Sequence, residues 1–170
     1  MTKIKYPRLK VIKHWCKEIL MGLKYLHEQE NPIIHRDIKC DNIFIDKNDG
    51  KITIGDLGYS CVLKNDYANS FSGTPEFMAP EVFESKYGIN ADIYSFGMCL
   101  IEMITLEKPY KECETIWKIY TYATQGILPK ALNRIHNEKI KEFIKNCLKK
   151  ENERPKANDL LNSEYIMKLF

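Results

Sequence analysis

The apolar residues near the start of the chain follow a helical pattern. Between about Leu9 and His27 they recur every three or four positions, which is typical of one buried face of an α-helix. The residues on this stripe are Val11, Ile12, Trp15, Ile19, Leu20, Leu23 and Leu26. Asn31 and Pro32 follow the stripe, and a proline placed there stops a helix. The pattern therefore predicts a helix that packs its apolar face into the core.

The spacing of the apolar residues changes after this helix, and the new pattern predicts two short strands. Residues Ile43–Ile45 and 51–54 are rich in isoleucine, and the five residues D-K-N-D-G between them are typical of a turn. We expect an antiparallel hairpin here. The next stretch, 59–72, is polar and has no clear period, which predicts a mobile segment.

The second half of the chain is predicted to be helical. Residues 91–105 are apolar on nearly every side, which indicates a buried helix, and Asp92 at its start is expected to cap the first amides. Three further helices are predicted at 114–124, 138–148 and Ala157–Leu161. The predicted fold class is therefore mainly α (α+β), with a small antiparallel β-hairpin.

Composition narrows the class of protein. With 170 residues and 44% hydrophobic content, the chain is long enough for one domain with a real core. Its net charge of +3 is too weak a bias to indicate a nucleic-acid or membrane partner. The six cysteines form no C-x-x-C pair, which favours reduced thiols in the cytoplasm over a zinc site or disulfides. The charged N-terminus is not a signal peptide, and the apolar run at 96–104 is too short to span a bilayer.

The candidate chemistry lies in the loop H-R-D-I-K-C-D-N at 35–42, between the apolar pair Ile33–Ile34 and the first predicted strand. Asp37 can accept a proton, Lys39 can face an anion, and Asn42 can offer an oxygen to a hard cation. Each residue alone could be an ordinary turn, surface or capping residue. As a set they suit phosphoryl transfer, because D-L-G at 56–58 and A-P-E at 79–81 follow.

In this order, the three motifs resemble the catalytic loop, magnesium loop and activation-segment end of eukaryotic protein serine/threonine kinases. The resemblance covers residues 1–170 but only the C-terminal lobe of a kinase domain. The eight glycines form no G-x-G-x-x-G, and no V-A-I-K-like strand occurs. We therefore expect the N-lobe to be absent from this sequence and to be a required partner.

The resemblance implies a role for each residue of the candidate site. Asp37 would accept or orient the proton of the substrate hydroxyl, and Lys39 would stabilise the transferring phosphoryl group. Asn42 and Asp56 would hold Mg²⁺ against the phosphates of ATP. Phe44 would form the floor under the adenine ring. A second interpretation is a buried strand residue, and both can hold. The implied cofactors are ATP and Mg²⁺.

The resemblance also implies an activation segment that is switched by phosphorylation. Ser70 matches the phosphorylated position, Ser72 is the second candidate, and Arg36 would pair with the phosphate. Thr74 would hydrogen-bond near the catalytic loop. Protein substrates and an upstream or trans-acting kinase are the implied partners.

Four residues are implied as structural support for the chemistry. His35 would form a packing hub under the magnesium loop, with Leu57 stacked on it. Asp92 would hold the backbone of the catalytic loop. The activation segment would be anchored by an ion pair between Glu81 and Arg154, where the alternative is two unrelated surface charges.

The run I-I-H-R-D-I-K-C-D-N-I-F-I and the use of D-L-G are similar to the WNK (with-no-lysine) kinases, with the Ste20-like kinases next. Some WNK kinases bind chloride in a pocket lined by a leucine, and Tyr59 stands at that position here, which predicts a weaker chloride site. The resemblance implies a WNK-like serine/threonine protein kinase that acts on protein substrates and is inactive as this chain alone. The alternative is a non-catalytic C-lobe that acts as a binding or decoy module.

Overall fold

Helix α1 spans Leu9–His27 in the computed structural model, which describes residues 8–63, 67–84 and 86–167. Its bounds agree with the prediction. The residues that it buries lie on one face, as the period requires, and they are Ile12, Cys16, Ile19, Leu20, Leu23 and His27. Val11 and Trp15 lie at the edge of this face, because Val11 is exposed and Trp15 is half-buried. Helix α1 thus forms one wall of the core.

Two antiparallel strand pairs enclose the candidate loop. Strands β2 (Ile43–Ile45) and β3 (Ile52–Ile54) form the predicted hairpin, with Ile43 opposite Ile54. Gly50 closes the turn between them at a positive φ of 73°, which glycine adopts without strain. Strands β1 (Ile33–Ile34) and β4 (Cys61–Val62) form a second pair that the sequence did not predict.

Helix α3 (Asn90–Thr105) runs through the centre of the lobe, and it is buried over most of its length. It packs closely on helix α5 (Glu138–Cys147) at Gly97. A methyl group at Gly97 would lie only 2.8 Å from Cβ of Cys147, so the two helices approach too closely there for a larger residue. The buried helix was predicted correctly.

Capping of helix α3 by Asp92 was a wrong prediction. The helix begins two residues earlier, at Asn90, and its N-cap Ile89 provides no side-chain hydrogen bond. Asp92 is therefore already in the first turn, where its carboxylate points to a different set of amides.

The remaining helices are shorter and complete the lobe. Helices α6 (Ala157–Leu161) and α7 (Glu164–Met167) pack against α1, and helices α2 (Pro80–Phe83) and α4 (Ile116–Thr124) pack against each other. Helix α4 begins after Thr115, whose hydroxyl accepts a hydrogen bond from the amide of Lys118. In the described part of the chain, every helix is too short or too polar to cross a membrane.

Candidate active site

The candidate loop is held in place by one buried carboxylate, that of Asp92. Its Oδ2 accepts a hydrogen bond from the amide of His35 at 2.8 Å, and its Oδ1 accepts one from the amide of Arg36 at 2.9 Å. Nε2 of His27 lies 2.8 Å from the same Oδ2. These bonds fix a loop in which Arg36 adopts a positive φ of 70°, a strained value for a residue other than glycine. Helices α1 and α3 thus position the loop together.

His27 is the supporting residue that sequence reasoning missed. It continues the buried stripe of α1 four positions after Leu23, and it is almost fully buried. A histidine at the core end of an apolar stripe needs a polar partner. The need for a polar partner could have drawn attention to His27. Its partner, Asp92, lies 65 positions away in the sequence.

His35 links the loop to the D-L-G motif. It is fully buried, and its Nε2 lies 2.9 Å from the carbonyl oxygen of Gly55, the residue before Asp56. Leu57, which the resemblance places against His35, is 54% exposed. The stacking of Leu57 on His35 stays a prediction.

Asp37 is the centre of the hydrogen-bond network, and its exposed fraction is only 3%. Nζ of Lys39 lies 2.8 Å from Oδ2 of Asp37, and the hydroxyl of Thr74 donates to Oδ1 at 2.7 Å. Lys39 also donates to the Thr74 hydroxyl at 3.0 Å, and Nδ2 of Asn42 donates to Oδ2 of Asp37 at 3.0 Å. The structure brings these four predicted residues together.

This network sets the charge of the site. Burial acts to raise the pKa of Asp37, but the hydrogen bonds from Lys39, Thr74 and Asn42 outweigh it and hold that pKa below its usual value. The hydrogen bond to Asp37 raises the pKa of Lys39. At neutral pH the site therefore holds a carboxylate and an ammonium in contact.

Asn42 and Asp56 lie at the same end of the β2–β3 hairpin, because the amide of Gly55 donates to the carbonyl oxygen of Asn42 at 2.9 Å. The Asn42 amide nitrogen is used by Asp37, which leaves its Oδ1 as a ligand atom. Asp56 is exposed, and one of its oxygens accepts from the amide of Gly58 at 3.3 Å. A carboxylate and an amide oxygen fit Mg²⁺, which takes oxygen ligands and keeps waters and phosphates as the others. Among the described residues, no cluster of three His, Cys, Asp or Glu side chains offers another metal site.

Phe44 is 57% exposed, so the alternative of a buried strand residue is wrong. Its ring lies directly over Gly55, where any side chain would collide with it. The neighbouring Ile45 and Leu57 are also exposed. The exposed Phe44 ring therefore lies next to the candidate metal ligand Asp56.

The predicted activation segment is tied to the loop through Arg36. Its Nη1 donates to the hydroxyl of Ser70 at 2.5 Å, and its Nε donates to the carbonyl oxygen of Tyr59. Gly73 has a φ of 119° and lies so close to the Arg36 carbonyl that no side chain fits between them. Ser72 is half-buried. Of the segment predicted to be mobile, residues 64–66 lie outside the described residues.

The predicted ion pair between Glu81 and Arg154 is present and buried. Nη1 of Arg154 lies 2.5 Å from Oε1 of Glu81, and Nη2 lies 3.2 Å from Oε2. Arg154 also donates to the carbonyl oxygens of Asn90 at 2.7 Å and of Lys149 at 2.9 Å. The pair thus joins the end of the predicted activation segment to the C-terminal part of the chain.

Comparison with known proteins identifies the family of this site. The family model described as "Protein kinase domain" matches residues 2–166. The chain belongs to the protein kinase domain family. The matched residues include the hydrogen-bonded loop at 35–42 and D-L-G at 56–58.

The relatives of this kinase chain include WNK enzymes from plants and animals. It is 49% identical to the probable serine/threonine-protein kinase WNK10 of Arabidopsis thaliana over 92% of the chain and 30% of that protein. It is 47% identical to the probable kinase WNK6 of Oryza sativa subsp. japonica over 97% of the chain and 38% of that protein. For WNK3 of Mus musculus the identity is 45%, over 98% of the chain and 10% of that protein. The chain therefore spans well under half the length of these relatives.

Proposed function

We propose that this chain carries the catalytic and metal-binding residues of a WNK-like serine/threonine protein kinase. The reaction is transfer of the γ-phosphate of ATP to Ser or Thr of protein substrates. The observation that carries the proposal is the ionised Asp37, in contact with both Lys39 and the Thr74 hydroxyl. Residues 1–170 then correspond to the C-terminal lobe of a kinase domain, and the names of the similar WNK enzymes support this assignment.

The proposed mechanism follows from the partners of Asp37. Oδ1 of Asp37 accepts a hydrogen bond from the Thr74 hydroxyl. The same carboxylate can accept a hydrogen bond from the hydroxyl of a substrate serine or threonine. The substrate oxygen attacks the γ-phosphorus, its proton passes to Asp37, and ADP leaves with the electrons of the broken P–O bond. Lys39 stabilises the charge of the phosphoryl group during transfer. Asn42 and Asp56 would hold Mg²⁺, which would neutralise charge on the phosphates when bound.

The proposal includes an N-terminal lobe as a required partner. Phe44 is exposed, and its ring lies over Gly55, next to the candidate metal ligand Asp56. An N-lobe placed there would cover the Phe44 ring and close the ATP site over it. It would also supply the glycine-rich loop, which is not found among the eight glycines of this sequence.

The isolated chain is therefore expected to show no phosphate transfer to a generic basic protein above the level of its Asp56→Ala variant. The sequence contains no glycine-rich phosphate loop and no V-A-I-K-like strand, and catalysis of this reaction is mostly positioning and electrostatics. The measurement is incorporation of labelled phosphate from ATP with Mg²⁺. It is paired with a two-lobe protein, in which the N-terminal lobe of a similar WNK kinase precedes this chain.

Transfer by the purified isolated chain that disappears in Asp56→Ala would refute the need for an N-lobe. Transfer by the two-lobe protein, with none by the isolated chain, supports the need for an N-lobe. A two-lobe protein that folds and binds ATP but transfers nothing would instead favour the non-catalytic binding or decoy module.

Ser70 is proposed as the activating phosphorylation site, modified by an upstream or trans-acting kinase. The Ser70 side chain is exposed and already contacts Arg36 at 2.5 Å. Phosphorylation adds roughly −1.5 to −2 charges at neutral pH, which Arg36 can pair through a charge-assisted hydrogen bond. The carbonyl oxygen of Ser70 accepts from the Tyr87 hydroxyl at 2.5 Å, so the phosphate would be held at a fixed point.

In the two-lobe protein, Ser70→Ala is expected to lower activity about 5- to 150-fold, the usual range for coupling between two sites. Ser72→Ala is the matched control and is expected to cost much less. The measurement is initial rate after treatment with an activating kinase, with phosphosites mapped by mass spectrometry. Full activity of Ser70→Ala, or phosphate found only on Ser72, would refute the assignment.

The cytoplasm is the proposed location. All six cysteines are free thiols in the structure, and free thiols persist where the redox environment is reducing.

A further inference from the structure

Two of the six cysteines meet where the candidate loop packs on helix α3. Cys40 follows Lys39 in the loop, and Cys99 lies in the middle of α3. The Cys40 thiol donates a hydrogen bond to the carbonyl oxygen of Cys99, with Sγ and the oxygen 3.7 Å apart. Burial raises the pKa of the Cys99 thiol, and a hydrogen bond with the Cys40 thiol raises it further. The Cys40 side chain therefore contacts both the backbone and the thiol of Cys99.

The two thiols differ in their access to solvent. Cys40 is half-buried, whereas Cys99 is completely buried. A small oxidant in solution can thus reach Cys40 before Cys99. Cysteines that sense oxidants are typically accessible and lie next to a second cysteine that completes the reaction. Cys40 and Cys99 have this arrangement.

The other four cysteines lack this combination of access and a neighbouring thiol. Burial and the nearby Cys147 thiol raise the pKa of Cys16, but both residues are completely buried. Cys61 and Cys113 are half-buried. The Cys61 thiol donates to the carbonyl oxygen of the next residue at 3.5 Å. Among the described residues, neither Cys61 nor Cys113 forms a hydrogen bond with another cysteine.

We propose that Cys40 and Cys99 form an oxidative modification site, at which hydrogen peroxide closes an intramolecular disulfide. The Cys40 sulfur first bonds to one peroxide oxygen, the O–O bond breaks, and the second oxygen leaves as water with the thiol proton. The Cys99 thiol then condenses with the resulting sulfenic acid. A sulfur–sulfur bond replaces the S–OH bond, and the hydroxyl leaves as a second water with the Cys99 proton. The two thiols lose two electrons in total, and the peroxide gains them.

The disulfide is expected to be reversible in a reducing compartment. Disulfides in the cytoplasm are usually transient, because glutathione and thioredoxin return them to thiols. Exchange with an external thiol opens the bond between Cys40 and Cys99 and restores both side chains.

The position of Cys40 links this modification to the candidate active site. Lys39 directly precedes it and contacts Asp37 at 2.8 Å. Asn42 ends the turn that Cys40 begins, and its Nδ2 donates to Asp37 at 3.0 Å. Two bonded sulfurs lie much closer than two thiols in contact, so closing the disulfide draws this turn towards α3. A shift of about 1 Å in such groups can cost about 10²-fold in rate.

The disulfide can be tested without any assay of catalysis. The full 170-residue chain is treated with hydrogen peroxide, unfolded with N-ethylmaleimide to block the remaining thiols, and mapped by mass spectrometry. We expect a peptide that joins Cys40 to Cys99 and separates in dithiothreitol. Cys16 and Cys147 should be recovered as blocked thiols, because peroxide cannot reach them in the folded chain.

Cys40→Ser and Cys99→Ala should each lose the joined peptide. Cys61→Ser is the matched control and should keep it, because Cys61 is equally half-buried. The proposal is overturned if Cys40 is oxidised to sulfenic or higher acids while Cys99 stays a free thiol. It is also overturned if the joined peptides mainly contain other cysteines or link two chains. The mapping of the unmodified sequence decides this without relying on the folding of a variant.

The effect on catalysis rests on the proposed kinase function, whereas formation of the disulfide does not. In the two-lobe protein, complete oxidation should lower kcat about 10²-fold, and dithiothreitol should restore it. Cys99→Ala should keep its activity in peroxide. An equal loss in Cys99→Ala, or a disulfide that leaves kcat unchanged, would refute control of catalysis by the disulfide. A two-lobe protein that is inactive before oxidation would refute the kinase function alone, because the mapping still decides the modification site.

Discussion

Replacement of Asp37 by asparagine in the two-lobe protein is expected to lower kcat about 10²- to 10⁴-fold, the usual contribution of a positioned base. The asparagine side chain has nearly the same shape and can still accept a hydrogen bond from Thr74 at Oδ1. It cannot take the proton of the substrate hydroxyl, and it leaves the Lys39 ammonium without its counter-ion at 2.8 Å. The measurement is kcat and KM for ATP and for a protein substrate.

Asp41→Asn is the matched control, because Asp41 belongs to the same loop but its side chain is exposed. We expect it to retain most of the activity. Equal losses in both variants would mean that loop charge, rather than a base at Asp37, matters. Because the hydrogen bonds of Asp37 lower its pKa, its carboxylate stays ionised as the pH falls. Protonation of Asp37 should lower kcat/KM at acidic pH. This fall should occur at a lower pH than the one at which an ordinary aspartate is protonated.

Replacement of Glu81 by glutamine is expected to reduce the free energy of unfolding by roughly 3–5 kcal/mol, because the charge of Arg154 then stays buried without its partner. Arg154 is almost fully buried, its guanidinium carbon lies 5.1 Å from the ring centroid of Tyr94, and water cannot replace the lost carboxylate. The measurement is urea unfolding of the 170-residue chain at neutral pH.

Glu28→Gln is the control for this experiment. Glu28 forms an ion pair of 3.8 Å with Lys24 on the surface of α1, and its loss is expected to cost only about 0.3–0.5 kcal/mol. Glu81→Leu combined with Arg154→Met should cost less than the sum of the two single variants, because no unpaired charge remains. Additive losses, or a loss in Glu81→Gln no larger than in Glu28→Gln, would show that the pair does not anchor the activation segment.

Long periodic segments and the catalytic motifs were predictable from sequence. Helix α1 begins and ends where its stripe does, and α3 was recognised because it is apolar on almost every side. Asp37, Lys39 and Asn42 could be grouped because one short loop carries all three. The contacts of Asp37 in the structure agree with the roles that the resemblance implied, although the roles themselves remain proposals.

Contacts between distant segments were not predictable from the residues alone. Strands β1 and β4 are two residues each, which is too short to show any period. The partnership of His27 with Asp92 is polar and spans 65 positions, so no spacing rule reveals it. Asp92 was expected at a cap because helix boundaries are uncertain by a few residues, and a shift of two changed its role. Phe44 lies on an apolar strand, and the sequence pattern cannot show which face the lobe leaves uncovered.

Identification of the phosphorylated residues after incubation of the two-lobe protein with ATP, Mg²⁺ and a generic basic protein tests the kinase assignment most directly. We expect phosphoserine and phosphothreonine in the wild-type reaction, and neither above background in the Asp37→Asn and Asp56→Asn reactions. A folded two-lobe protein that transfers no phosphate, or one whose activity is unchanged by Asp56→Asn, would contradict the assignment of these residues to phosphoryl transfer.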